Sequence, residues 1–80
     1  MHEIRMIKDL VKDLLKHGKK VNAKKITKVY VKMGEMTEID PDIFKFHFFE
    51  RIKGTPAEGC ELEMEQSQTR ELRLMSFDCE

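Results

Sequence analysis

Tryptophan is absent from this chain, tyrosine occurs once, and cysteine and proline occur twice each. The two thiols, Cys60 and Cys79, are far apart and in no Cys-x-x-Cys spacing. That excludes a paired-thiolate zinc cage and leaves reduced thiols as the expectation, unless the fold brings the two together. Charge of one sign is not in excess either: fifteen Lys and Arg balance fifteen Asp and Glu. A formal charge of zero argues against a nucleic-acid partner, which calls for a basic footprint. No apolar run approaches the roughly 20 residues that cross a bilayer, so a membrane partner is not expected. The first residues lack the apolar stretch of a secretory signal, which makes the cytoplasm the default compartment. No Ser-His-Asp set, no carboxylate pair in an evident cleft and no phosphate-cradling glycine loop argues for an enzyme. There is no internal repeat. What is left is one domain, residues 1–80, small enough to bury only roughly 60% of its unfolded surface.

Within it, hydrophobic periodicity marks the elements. Ile4, Ile7, Leu10, Val11, Leu14 and Leu15 recur at three- and four-residue spacing, which predicts an amphipathic helix over 4–16. Its other face carries Arg5, Lys8, Asp9, Lys12, Asp13 and Lys16, read as solvated helix surface, and Gly18 is the expected stop. Val29, Val31 and Met33 alternate with Lys28, Tyr30 and Lys32, the clearest strand in the chain, ended by Gly34-Glu35. Asp40-Pro41-Asp42 is a helix start. Asp40 caps, Pro41 takes the first helical position, and Asp42 suits the positive end. That second helix runs to about Lys53 and carries Ile43, Phe44, Phe46, Phe48, Phe49 and Ile52. So much apolar surface makes it the central packing element, or a helix that also serves an interface.

Cys60, Leu62 and Met64 then alternate with Glu61, Glu63 and Glu65 in a second strand, and Arg70 to Glu80 forms a third. The alternation slips at Met75-Ser76-Phe77, the mark of a bulge. The short polar turn between these strands predicts an antiparallel hairpin with Arg73 opposite the acidic row. The expected architecture is α+β: two helices packed on a three-stranded β-sheet (order α-β-α-β-β), with a right-handed crossover through the second helix. Whether the first strand pairs with the second or the third is left open by pattern alone.

The stretch with chemistry is Met1-His2-Glu3. Unblocked, it offers an α-amine, the His2 backbone nitrogen and the His2 imidazole, three nitrogens that close a five- and a six-membered chelate ring on one ion. A nitrogen-rich, square-planar set of this kind favours Ni(II) or Cu(II). The bland readings are a chance Met-His start and, for His47 in the second helix, a helix-surface or half-buried histidine. A catalytic site joining His2 to His47 has little to support it.

These segments follow one family's pattern in order. Met1-His2-Glu3 is followed by Gly34-Glu35, then Lys53-Gly54-Thr55 with Ala57-Glu58-Gly59 and Glu61-Leu62-Glu63, then Arg70-Glu71-Leu72-Arg73-Leu74 with Ser76. Over essentially its whole length the chain resembles the HypA nickel metallochaperones of [NiFe]-hydrogenase maturation, some of which also serve urease. The resemblance implies a nickel-binding domain that delivers Ni(II) to the hydrogenase large subunit together with a HypB-type GTPase. It implies Met1, His2 and Glu3 as metal ligands, with His2 essential, and Asp40 at the position of an acidic residue near the nickel site in some members. For Asp40 a helix cap is the simpler role, and for Glu3 a carboxylate in the first helical turn is favourable anyway. One departure stands out. The family's zinc-binding module, with its two Cys-x-x-Cys pairs, is absent between residues 66 and 70, where Gln66 to Thr69 form an abrupt polar splice. A shortened hairpin there favours strand exchange between chains, so a homodimer stays among the expectations. The competing reading is a protein-interaction module that docks on the GTPase or the hydrogenase without delivering metal itself.

Overall fold

Residues 2–80 are described by a computed structural model, without the side chains of His2 and Glu3. The first helix, α1, spans His2–Lys20, and a strand β1 follows over Ile26–Gly34. A single 3-10 turn, Glu35–Thr37, leads into helix α2 over Pro41–Arg51, then strands β2, Glu61–Ser67, and β3, Leu72–Cys79. This is the expected α+β order of two helices and a three-stranded sheet.

Gly18 does not stop α1; it lies buried inside the helix. Its value there is size, because a Cβ would come within 3.0 Å of Ile26 Cδ1. The stop falls at Asn22, whose φ of 57° is left-handed, a conformation that asparagine tolerates better than most side chains. The amides of Asn22 and Ala23 close the end by donating to the carbonyls of Lys19 and Gly18, at 3.1 and 2.9 Å. The stripe read from the sequence is the buried one, with Ile7, Leu10, Val11 and Leu14 all in the core.

The start of α2 follows its sequence signals. Asp40 is the N-cap, its carboxylate accepts from the Asp42 amide at 2.8 Å, and Pro41 follows it. Only the Phe44, Phe48 and Ile52 stripe is fully buried. The Phe44 and Phe48 rings stack at 5.7 Å. Ile43 and Phe46 remain more than half exposed, at 53% and 63%.

The sheet differs from the predicted hairpin. Its order is β2-β1-β3, with β1 in the centre, parallel to β2 and antiparallel to β3. A parallel pair needs a long crossover, and α2 lies in it. The link from β2 to β3 is therefore not a hairpin turn: it passes over the end of β1 at Gly34. Two hydrogen bonds hold it there: Gly34 N–H donates to Glu71 O at 2.7 Å and Met36 N–H to Thr69 O at 3.0 Å. A Cβ on Gly34 would collide with the Thr69 carbonyl, so the crossing requires glycine at this point.

Apolarity explains the order. Val29, Val31 and Met33 of β1 are buried at 0–3% exposure, whereas Leu62, Met64, Leu72, Leu74 and Phe77 on the flanking strands are only partly buried. The most apolar strand takes the middle, where neighbours cover it on both sides. The charges follow: Glu61 and Glu65 stand opposite Lys28 and Lys32 of β1, and Arg73 faces Lys32 instead of the acidic row. The slip in β3 is real. Ser76 pairs with Tyr30 and Leu74 with Val31, so Met75 is the extra, bulged residue.

Candidate functional site

Of the four residues expected to hold metal, Met1 lies outside the described residues, as do the side chains of His2 and Glu3. The backbone of His2 opens α1. The first four amide N–H groups of an α-helix have no carbonyl to bond within it. The His2 nitrogen is thus not consumed by the helical ladder and can be deprotonated and ligated without unwinding a turn. The positive helix end disfavours a bare cation, and an ionised amide ligand offsets that penalty.

Asp40 is exposed on the other helix. One carboxylate oxygen takes the Asp42 amide, and its carbonyl takes the Phe44 amide at 2.9 Å. The residue is a helix cap, and its second carboxylate oxygen has no hydrogen-bond partner among the described residues. His47 is half-buried beside Phe46, the two rings edge to face at 5.4 Å. Among the described residues no three His, Cys, Asp or Glu side chains converge on a common point. Cys60 is buried and Cys79 exposed, and both are free thiols. Burial pushes the Cys60 thiol up from its ordinary range.

The outer face of the sheet carries a polar cluster that alternation alone does not reveal. Tyr30 donates its hydroxyl to Asp78 Oδ2 at 3.1 Å, and Lys28 Nζ lies 3.5 Å from Glu63 Oε2. The same ammonium sits 5.1 Å from the Tyr30 ring centroid. The Glu63 carboxylate, ahead of Tyr30, holds the Lys28 ammonium above its usual range. The hydrogen bond to Asp78, ahead of desolvation, raises the Tyr30 phenol. These groups come from three strands, so finding them requires the strand order.

Comparison with known proteins bears on family and fold. A family model described as "Hydrogenase/urease nickel incorporation, metallochaperone, hypA" matches residues 1–79. A hydrogenase maturation factor HypA of Pyrococcus horikoshii is 38% identical over 68 residues, 85% of this chain and 49% of that protein. The HypA of Caldanaerobacter subterraneus is 42% identical over 62 residues, 78% of this chain and 54% of that one. The HypA of Aquifex aeolicus is 32% identical over 79 residues, 99% of this chain and 66% of its own length. The chain thus spans about half the length of the first of these relatives. The solution structure of the Ni metallochaperone HypA from Helicobacter pylori superposes with a TM-score of 0.82. It covers 96% of both chains at 20% identity, a likeness of fold.

Proposed function

The chain belongs to the HypA family of nickel-incorporation metallochaperones, and from that premise we propose that it is a Ni(II)-carrier domain that grips its cargo at the chain start. The observation that carries this reading is the family match from residue 1 onward, which takes in the Met1-His2-Glu3 triplet. Met1 supplies the amine, His2 its backbone nitrogen and imidazole, and Glu3 its backbone nitrogen or carboxylate. Asp40 is held in reserve as a carboxylate near the ion. Each nitrogen must shed or forgo a proton to bind, so nickel is held at neutral pH and released as pH falls. Cu(II) outranks Ni(II) on such donors, and supply decides which is carried. The domain turns nothing over. It hands nickel to the hydrogenase large subunit alongside a HypB-type GTPase, in the cytoplasm. No helix among the described residues is long and apolar enough to cross a membrane. The sequence holds no Cys-x-x-Cys pair, so no thiolate zinc site is proposed for it.

Calorimetric titration with Ni(II) tests the reading. His2→Ala abolishes tight binding while circular dichroism stays native; equal affinity in the variant refutes the assignment. A second reading has one observation behind it. Ile43 and Phe46 expose apolar surface on α2, as a docking module would. Capture of the GTPase by folded His2→Ala protein that no longer takes nickel separates docking from carriage.

A further inference from the structure

We propose that the open edge of β2 docks an extended, basic segment of a partner protein, added to the sheet as a fourth strand in which lysine or arginine alternates with apolar residues. The strand order leaves β2 unpaired on its outer side. Which of its backbone groups face outward follows from β1. The Gly34 amide donates to Glu71 O, so Gly34 turns toward β3. Neighbouring residues along a strand turn their N–H and C=O groups to opposite sides, so Met33, Val31 and Val29 turn toward β2. Across a parallel ladder each of these bonds to the residues that flank its partner, and the partners are Gln66, Met64 and Leu62. Glu61, Glu63, Glu65 and Ser67 are thereby committed to β1, while Leu62, Met64 and Gln66 turn their N–H and C=O groups to the open edge.

The two edges of the sheet are not alike. The bulge at Met75 interrupts β3, a device that blunts an edge. β2 is regular: it holds one register with β1 from Glu61 to Ser67 and contains no proline. Its side chains define what the edge accepts. On the outer face Glu61, Glu63 and Glu65 form an exposed acidic row. Among the described residues only Glu63 of the three is in an ion pair, with Lys28. On the core face Leu62 and Met64 are only partly buried, and an apolar side chain on an added strand covers them further.

Charge selects the occupant. Like charges directly opposite one another destabilise a strand pair, which disfavours a second β2, since that would set its own acidic row against this one. The same row repels the phosphates of a nucleic acid. Opposite charges are favourable there, and Lys28 shows the arrangement: its ammonium lies 3.5 Å from Glu63 Oε2 and 5.1 Å from the Tyr30 ring centroid. β1 already sets Lys28 and Lys32 across from Glu61 and Glu65 on one side of the row. A basic strand on the other side repeats that pattern. A depression lined by Tyr30, Glu63, Glu65 and Met75 beds the aliphatic stems of such side chains. Antiparallel addition is the more stable per residue. It places cationic residues opposite the glutamates and apolar ones opposite Leu62 and Met64.

The probe is a capped heptapeptide of alternating lysine and valine, titrated into the chain with chelator present and followed by amide NMR and hydrogen exchange. Binding should slow exchange at the Leu62, Met64 and Gln66 amides, and a peptide of the same composition with its lysines in one block should not. The double variant Glu61→Gln, Glu65→Gln spares the Lys28–Glu63 pair and should bind about fivefold more weakly. Methylating the peptide's valine nitrogens, which point at β2 in the antiparallel register, should abolish binding. Methylating its lysine nitrogens, which point away, should leave it intact. These two peptides alter nothing in the protein, so they decide the matter even if the double variant fails to fold. Unchanged exchange at Leu62 and Met64 with about 1 mM peptide overturns the proposal. So does binding that survives valine methylation, or equal affinity in the folded double variant. Nickel affinity of that variant should match the parent, so a failure here and a failure of nickel carriage are read separately.

Discussion

Gly34→Ala is the substitution that most directly probes how the last strand reaches its place. The Gly34 backbone is ordinary, with φ −79° and ψ 138°, so alanine suffers no conformational strain there. The penalty is steric. The added methyl meets the Thr69 carbonyl, which belongs to the backbone and cannot rotate away. Either the link from β2 to β3 lifts off, or Gly34 withdraws from it. Overpacking of this kind costs about 1–3 kcal/mol. Displacing the link weakens the Gly34–Glu71 and Met36–Thr69 hydrogen bonds, at about 1 kcal/mol net. Together these come to about 2–4 kcal/mol, against about 4–12 kcal/mol for a domain of this size. Urea unfolding followed by circular dichroism should show the midpoint falling with the slope unchanged. The melting temperature should drop by about 10–20 °C. Thr69→Gly should not rescue the variant, because the collision is with main chain. Stability within about 0.5 kcal/mol of the parent, or rescue by Thr69→Gly, would refute the crossing described.

Three other expectations follow from the same geometry. Phe44→Ala should cost about 3–5 kcal/mol by emptying a fully buried site, while Phe46→Ala, at 63% exposure, should stay within about 0.5 kcal/mol in the same denaturation assay. Asp40→Ala should lose about 1 kcal/mol with the cap, whereas Asp40→Asn keeps an acceptor for the Asp42 amide and should stay near parental stability; a fall in nickel affinity in the folded Asn variant would reveal the carboxylate as a ligand. Cys60 should resist iodoacetamide at pH 8 until the chain unfolds, with Cys79 alkylated first, as mass spectrometry reads. Because burial raises the Cys60 pKa in the folded state, the unfolded thiol ionises first. Stability should therefore be independent of this group below the unfolded pKa and decline as pH rises above it; Cys60→Ala should flatten that decline.

Local signals carried much of this fold. The stripe from Ile7 to Leu14, the Asp40-Pro41 start and the Val29–Met33 alternation each describe a face that one element shows regardless of its neighbours. The slip at Met75 was legible for the same reason. What periodicity does not carry is which strand lies beside which. A four-residue polar link suits a hairpin as well as a crossing over β1, and the difference turns on one contact, Gly34 against Thr69, between residues far apart in sequence. Gly18 misled similarly: a glycine that admits Ile26 looks, in sequence, like one that ends a helix. Asn22 did the ending. At the site, the Met1-His2-Glu3 chemistry is readable because chelation depends on adjacent residues. The Tyr30–Asp78 and Lys28–Glu63 pairs depend on register and were not readable.

The central claim is that the amine of Met1 and the ring of His2 hold nickel together, and one comparison tests it most directly. Ni(II) is titrated calorimetrically into two preparations of the same chain, one with a free N-terminus and one acetylated there, at neutral pH and with matched circular dichroism. The free chain should bind one equivalent tightly and release protons to the buffer, and the acetylated chain should lose that binding. Equal affinity and equal proton release in both would contradict the account.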